Sequence, residues 1–186
     1  MNKVIASLLF LLIVITSCEK KSKLQEEFIC ETQSLSNTEI INDFKNKFRI
    51  EIPKHWKTQL YFDTVQTQII TADTTKNYTN TYTLNFEHNS GDLQINDAFK
   101  IKLKEELQQK QLQILKNKVD TFKEKPCIWI VSKGTKNNYD YYLFELFVKS
   151  KETSYYKISA EIYGDKNINQ RFCESIAVIE TLEFLE

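Results

Sequence analysis

The sequence predicts an α+β fold, an antiparallel β-sheet flanked by helices, and three observations carry that prediction. Apolar residues recur with period two, most cleanly where Tyr82, Leu84 and Phe86 alternate with Thr83, Asn85 and Glu87. Two other stretches, 97–117 and 168–180, space their apolar residues at helical intervals instead. Most of the strand-like runs follow one another through short polar turns, which join antiparallel neighbours and leave no room for crossover helices.

Near its start the chain places one positive charge, Lys3, ahead of an apolar run from Val4 to Ile15. That run is shorter than the roughly 20 residues a membrane-spanning helix needs, and it ends in Ile15-Thr16-Ser17-Cys18. A branched apolar residue, two small residues and a cysteine resemble the lipobox of bacterial lipoproteins. Residues 1–17 are therefore expected to be a cleaved lipoprotein signal, with lipid attached to Cys18. The two or three acyl chains of such an anchor give durable membrane attachment where one chain is marginal. Glu19 stands where an aspartate is the usual inner-membrane retention signal, so the outer membrane is favoured. Residues 18–28, rich in Lys and Glu, read as a tether, and residues 29–186 as one domain.

Within that domain Phe48, Ile50 and Ile52 alternate with Arg49 and Glu51, a strand stopped by Pro53. Thr58 to Asp63 and Gln66 to Asp73 read as a hairpin with Leu60, Phe62, Ile69 and Ile70 as its apolar contributions. The strand through Tyr82 to Glu87 follows, then a turn at Ser90-Gly91-Asp92. Asn96 or Asp97 caps a helix expected to reach Asn117, with Ile95, Phe99, Leu103, Leu107 and Ile114 on one face. Ile101, Leu112 and Leu115 fall nearly opposite, a second stripe suited to a loop or a partner. Cys127 to Val131 and Tyr139 to Lys149 are apolar on both faces, as central strands are, and Gly134 to Asn138 turn between them. Ser154 to Tyr163 is one-sided. A last helix carries Phe172, Ile176 and Ile179, and Leu182, Phe184 and Leu185 close on the core.

With Cys18 committed to lipid, Cys30, Cys127 and Cys173 remain in an oxidising compartment, where the arithmetic is one disulfide and one free thiol. The favoured pair is Cys30 with Cys173, which would tie the entry of the domain to its last helix, and Cys127 suits a buried small hydrophobe.

Phe48-Arg49-Ile50-Glu51-Ile52-Pro53-Lys54-His55-Trp56 resembles the opening strand and turn of PsbP-like domains. The order of hairpins, long helix, three-strand meander and terminal helix is similar as well, as is Tyr163-Gly164 followed by a helix carrying Ser175-Ile176. The resemblance spans residues 45 to 186 and implies an α/β/α sandwich. Members of that family include an extrinsic photosystem II subunit and a Ran-binding import factor, which are accessory and binding roles, not catalysis. The chain looks closest to PsbP-related lipoproteins of Bacteroidetes-type bacteria.

Composition excludes other classes. The 25 Lys and Arg balance 25 Asp and Glu and are interspersed with them, so the basic face of a nucleic-acid binder is missing. Three glycines leave no phosphate loop, dinucleotide fingerprint or nucleophile elbow, and the two histidines, His55 and His88, stand alone. No enzyme, cofactor or metal centre is expected. The readings left are an envelope accessory module that binds another protein, or a binder of a small ligand or cation near Trp56. In the second, Asp63 and Asp73, near the ends of adjacent strands, would approach as paired carboxylates. Asp63-Thr64-Val65 and Asp73-Thr74-Thr75 also resemble a short O-glycosylation sequon.

Overall fold

The computed structural model describes residues 21–185, so the signal segment, Cys18 and Glu19 lie outside the described residues. In chain order the elements are α1 (Lys23–Glu27), β1 (Thr38–Asn42), β2 (Phe48–Pro53), β3 (Lys57–Phe62), β4 (Gln66–Ala72), a 3-10 turn (Tyr78–Asn80), β5 (Tyr82–Ser90) and α2 (Asp97–Gln109). They continue with β6 (Gln113–Phe122), β7 (Lys125–Lys136), β8 (Tyr139–Lys151), β9 (Ser154–Tyr163), α3 (Ile168–Ile179) and β10 (Glu183–Phe184).

Seven strands form one antiparallel sheet in the order β3-β4-β5-β9-β8-β7-β6, and β1-β2-β10 form a second, smaller one. The alternation read from the sequence now has a physical basis. Leu84, Phe86, Ile158, Ala160, Phe144, Leu146 and Trp129 point to one face of the large sheet, where they meet α1, α3 and Phe48, Ile50 and Ile52 of the small sheet. The other face carries Ile128, Ile130, Leu143 and Phe147, on which α2 lays Leu103 and Leu107. Both cores lie against β7 and β8, which accounts for the two-sided apolar runs there. The result is the expected α/β/α arrangement around an antiparallel sheet.

Three expectations change. The helix that begins at Asn96, whose side chain caps Phe99 N, ends at Gln109 instead of Asn117, and 113–122 is strand β6. Gln111 sits at φ +57°, the left-handed residue that ends a helix and is most often glycine. The stripe of Ile101, Leu112 and Leu115 is thereby dismantled. Ile101 and Leu115 are exposed on different elements, and Leu112 is buried in the second core. The tether reading fails for residues 23–28: Ser22 caps α1 in a capping box, Leu24 is buried, and Phe28 stacks on Phe172 and packs on Trp129 and Phe144. Finally, Leu60 and Phe62 of edge strand β3 remain partly exposed, and of the hairpin's four apolar residues only Ile69 is fully buried.

The Cys30–Cys173 disulfide is present, and Cys127 is a buried free thiol.

Candidate functional site

The residues singled out in the sequence do not converge. Asp63, level with Gln66 across the β3–β4 turn, and Asp73 occupy opposite ends of β4, roughly 23 Å apart at about 3.3 Å per residue of an extended strand. Asp63 Oδ1 accepts from Val65 N (2.8 Å) and Gln66 N (2.9 Å), and those bonds hold its carboxyl below the usual range. Burial works to raise the Asp73 carboxyl, but bonds from Thr75 N and Thr75 Oγ1, with Lys76 and His55 nearby, bring it below the usual range. Both aspartates organise turns, so the paired-carboxylate arrangement does not form. Trp56 is half-buried, edge-on to Tyr82 at 5.5 Å, and packs on the first core as a lid. His88 is buried against Tyr156, while His55 is half-exposed beside Asp73. Thr64 and Thr74 are exposed in their turns. Among the described residues no group of three or more His, Cys, Asp or Glu is placed to hold a metal ion.

A different site emerges on the α2 face of the large sheet. Helix α2 covers the β7 and β8 side, and beside it β5 and β9 carry Asn85, Glu87, Lys157, Ser159 and Glu161. These side chains, with Tyr141, Leu143 and Glu145 of β8, line a cavity of about 340 Å³. The loop after α2 closes one wall with Lys110 and Leu112. Gly134 permits that closure, because a Cβ there would stand 2.6 Å from Leu112 Cδ2 and 2.8 Å from the Gln111 carbonyl oxygen.

The chemistry of the cavity centres on Glu145, 3% exposed, in the middle of an apolar strand. Lys157 Nζ lies 3.0 Å from its Oε1, whereas its Oε2 is buried with no hydrogen-bond donor among the described residues. Burial works to lower the Lys157 ammonium, but the Glu145 carboxylate holds it above its ordinary value. Around this pair, Glu87 accepts from Asn85 Nδ2 (2.5 Å) and Asn89 Nδ2 (3.3 Å). Glu161 accepts from Lys136 Nζ (3.0 Å) and Tyr163 Oη (2.8 Å). Tyr141, pushed up chiefly by burial, stays a neutral phenol. The lining has no histidine or cysteine, and its donors and acceptors suit binding. Sequence reasoning missed Glu145 and Lys157. The available signal was one carboxylate inside the otherwise apolar run Tyr141 to Val148.

No family model matches the sequence, and no curated protein matches it either. Solved structures are similar in fold. The cyanobacterial PsbP (CyanoP) of Synechocystis sp. PCC 6803 superposes with a TM-score of 0.53 at 8% identity, covering 83% of this chain and 96% of that one. The Ran-binding protein Mog1p of Saccharomyces cerevisiae gives a TM-score of 0.50 at 6% identity, with 81% and 96% covered. At such identities the likeness is one of fold, and the fold is PsbP-like.

Proposed function

We propose that this chain is a lipid-anchored, non-catalytic accessory module of the cell envelope, related to the lipoproteins of Bacteroidetes-type bacteria. Lipid on Cys18 holds it to a membrane, outer in preference to inner, and it binds another envelope protein. The observation that carries this reading is where the N-terminal segment meets the fold. Lys23 Nζ donates to Asp120 Oδ1 (2.9 Å) and Thr121 Oγ1 (2.6 Å), at the end of the large sheet bearing the turns 63–65, 123–124 and 152–153. Phe44 and Phe62 pack tilted against each other at 4.9 Å at that same end, on the opposite edge of the sheet. They and Val65 are each more than half exposed, and Lys45 and Lys47 follow Phe44. Cys18 stands four residues before Ser22, so the anchor can lie at most about 14 Å from it, at roughly 3.5 Å per residue. An acyl anchor on so short a leash brings this aromatic and basic end to the bilayer surface, where such residues are favoured. A binding role agrees with that of Mog1p, a Ran-binding protein on the same fold.

Mass spectrometry of protein extracted from membranes is expected to find an acylated N-terminal Cys18. A nitroxide on Val65→Cys should then be relaxed by lipid-dissolved oxygen more than by an aqueous chelate. A mature protein that starts elsewhere, with no lipid, overturns the reading.

A second reading, a binder of a small ligand, is favoured by the unpartnered oxygen of Glu145. It moves the pocket from the neighbourhood of Trp56 to the cavity on the α2 face.

A further inference from the structure

The cavity on the α2 face has a composition that restricts what enters it. Three carboxylates, Glu87, Glu145 and Glu161, face three ammonium groups, Lys110, Lys136 and Lys157, so the lining is neutral overall while each sign is locally concentrated. A ligand of net charge would meet as many like charges as opposite ones. A neutral ligand would desolvate both sets and compensate neither, and desolvating charge without partners is costly. A ligand carrying one charge of each sign, a few ångströms apart, satisfies both.

Glu145 decides which end goes where. Its Oε1 is taken by Lys157, and its buried Oε2 has no donor among the described residues, the kind of lone acceptor that native interiors rarely leave unpaired. An ammonium group with N–H donors completes it, and a quaternary ammonium cannot. Lys110 and Lys136, on the adjoining α2 loop and β7, are left for a carboxylate, although Lys136 also pairs with Glu161. Leu112, Leu143 and Tyr141 supply an apolar surface for a short side chain. The volume, about 340 Å³, lies at the small end of the roughly 300–1,000 Å³ typical of small-molecule sites, so one small molecule fits and a polymer does not.

We propose that the cavity bounded by Glu145, Lys157, Glu161 and the loop after α2 binds a small zwitterion with a primary ammonium, of the α-amino-acid class. The assignment deepens the second reading above and rests on it. The ammonium donates to Glu145 Oε2 and the carboxylate lies toward Lys110 and Lys136.

The test is a titration of the full mature chain, isotopically labelled, with the free α-amino acids one at a time. Glycine betaine, glucose and putrescine serve as the quaternary zwitterion, the neutral polyol and the net cation. Saturable amide shift changes confined to 85–87, 141–145 and 157–161 are expected with at least one amino acid and with none of the three controls. Glu145→Gln should weaken that binding at least tenfold. Because Glu145 is buried and its loss can perturb folding, Thr135→Trp at the exposed rim is the second variant. It should block the cavity mouth and abolish the shifts while the rest of the spectrum is unchanged. Saturable binding of glucose or putrescine in the cavity would leave a ligand site but overturn the zwitterion assignment. Absence of any cavity shift up to millimolar concentrations would overturn both.

Discussion

Arg171 is a charged residue almost fully buried inside the fold, and its environment explains why. Nη1 donates to the carbonyls of Thr81 (3.2 Å) and Tyr163 (2.6 Å), and Nη2 to those of Gly164 (3.2 Å) and Lys166 (2.6 Å). One guanidinium thus ties together the end of β9, the start of α3 and the residue before β5, using the fixed fork that lysine lacks. Arg171→Met keeps much of the volume and leaves these carbonyls without their donor. At about 1–3 kcal/mol for an unsatisfied buried group, the loss is expected to be roughly 3 kcal/mol, read as a lower denaturant midpoint at unchanged slope. A midpoint within error of the parent would show that water replaces the guanidinium. Nothing in the sequence marks Arg171 for this role, since its acceptors belong to separate elements. Cys127, by contrast, was readable as a small buried hydrophobe, and burial pushes its thiol up to about 11.

At the scale of elements, β6 and α1 stand or fall together. Strand β6 is polar, with Lys116, Lys118 and Asp120, and lies at the edge of the sheet. Helix α1 clips it from outside: Glu27 takes Lys116 at 2.6 Å and Lys118 at 2.7 Å, and Lys23 reaches Asp120. The bond from Lys23, then that from Thr121 N, holds the Asp120 carboxyl down at about 2, below its ordinary value near 3.9. A folded-state value below the unfolded one means stability present above about pH 4 and lost as pH falls through about 2. The stability difference between the parent and Asp120→Asn should therefore shrink over that window, with faster amide exchange in 22–28 of the parent. A difference independent of pH would exclude the clip. The helix misreading has the same root. Residues 97–117 are rich in Lys, Glu, Gln and Leu, all good helix formers, and no glycine marks the end at Gln111. The turn into β7 uses Lys123 and Glu124, both at positive φ, where the usual signature is Asn or Gly. Asn137 and Asn138 give that signature between β7 and β8, and there the hairpin was legible.

Across the whole molecule, the Cys30–Cys173 bridge fastens the N-terminal segment to α3 over a sequence separation of 143 residues. A loop of that length loses much entropy in the unfolded chain, worth about 5 kcal/mol in the chain-entropy account. The double variant Cys30→Ala/Cys173→Ala should lower Tm by roughly 10 °C or more under calorimetry. An unchanged Tm would mean that the packing of Phe28 on Phe172, Trp129 and Phe144 suffices on its own. This closure also holds the start of the described chain at the β6 edge of the large sheet, at the strand end that carries Phe62 and Val65 on the opposite edge.

The sequence alone determined the fold class, the central strands and α3, because each follows from a local period, and cysteine counting predicted one disulfide, for which it favoured the Cys30–Cys173 pair that the structure makes. Only the tertiary structure decided where α2 stops, that β1, β6 and β10 are strands, and that Asp63 and Asp73 lie far apart. It alone brought Glu145 and Lys157 together in a cavity. Those outcomes depend on partners distant in the chain: a polar edge strand forms because a neighbour offers its ladder, and a buried carboxylate is tolerated because an ammonium from the next strand neutralises it.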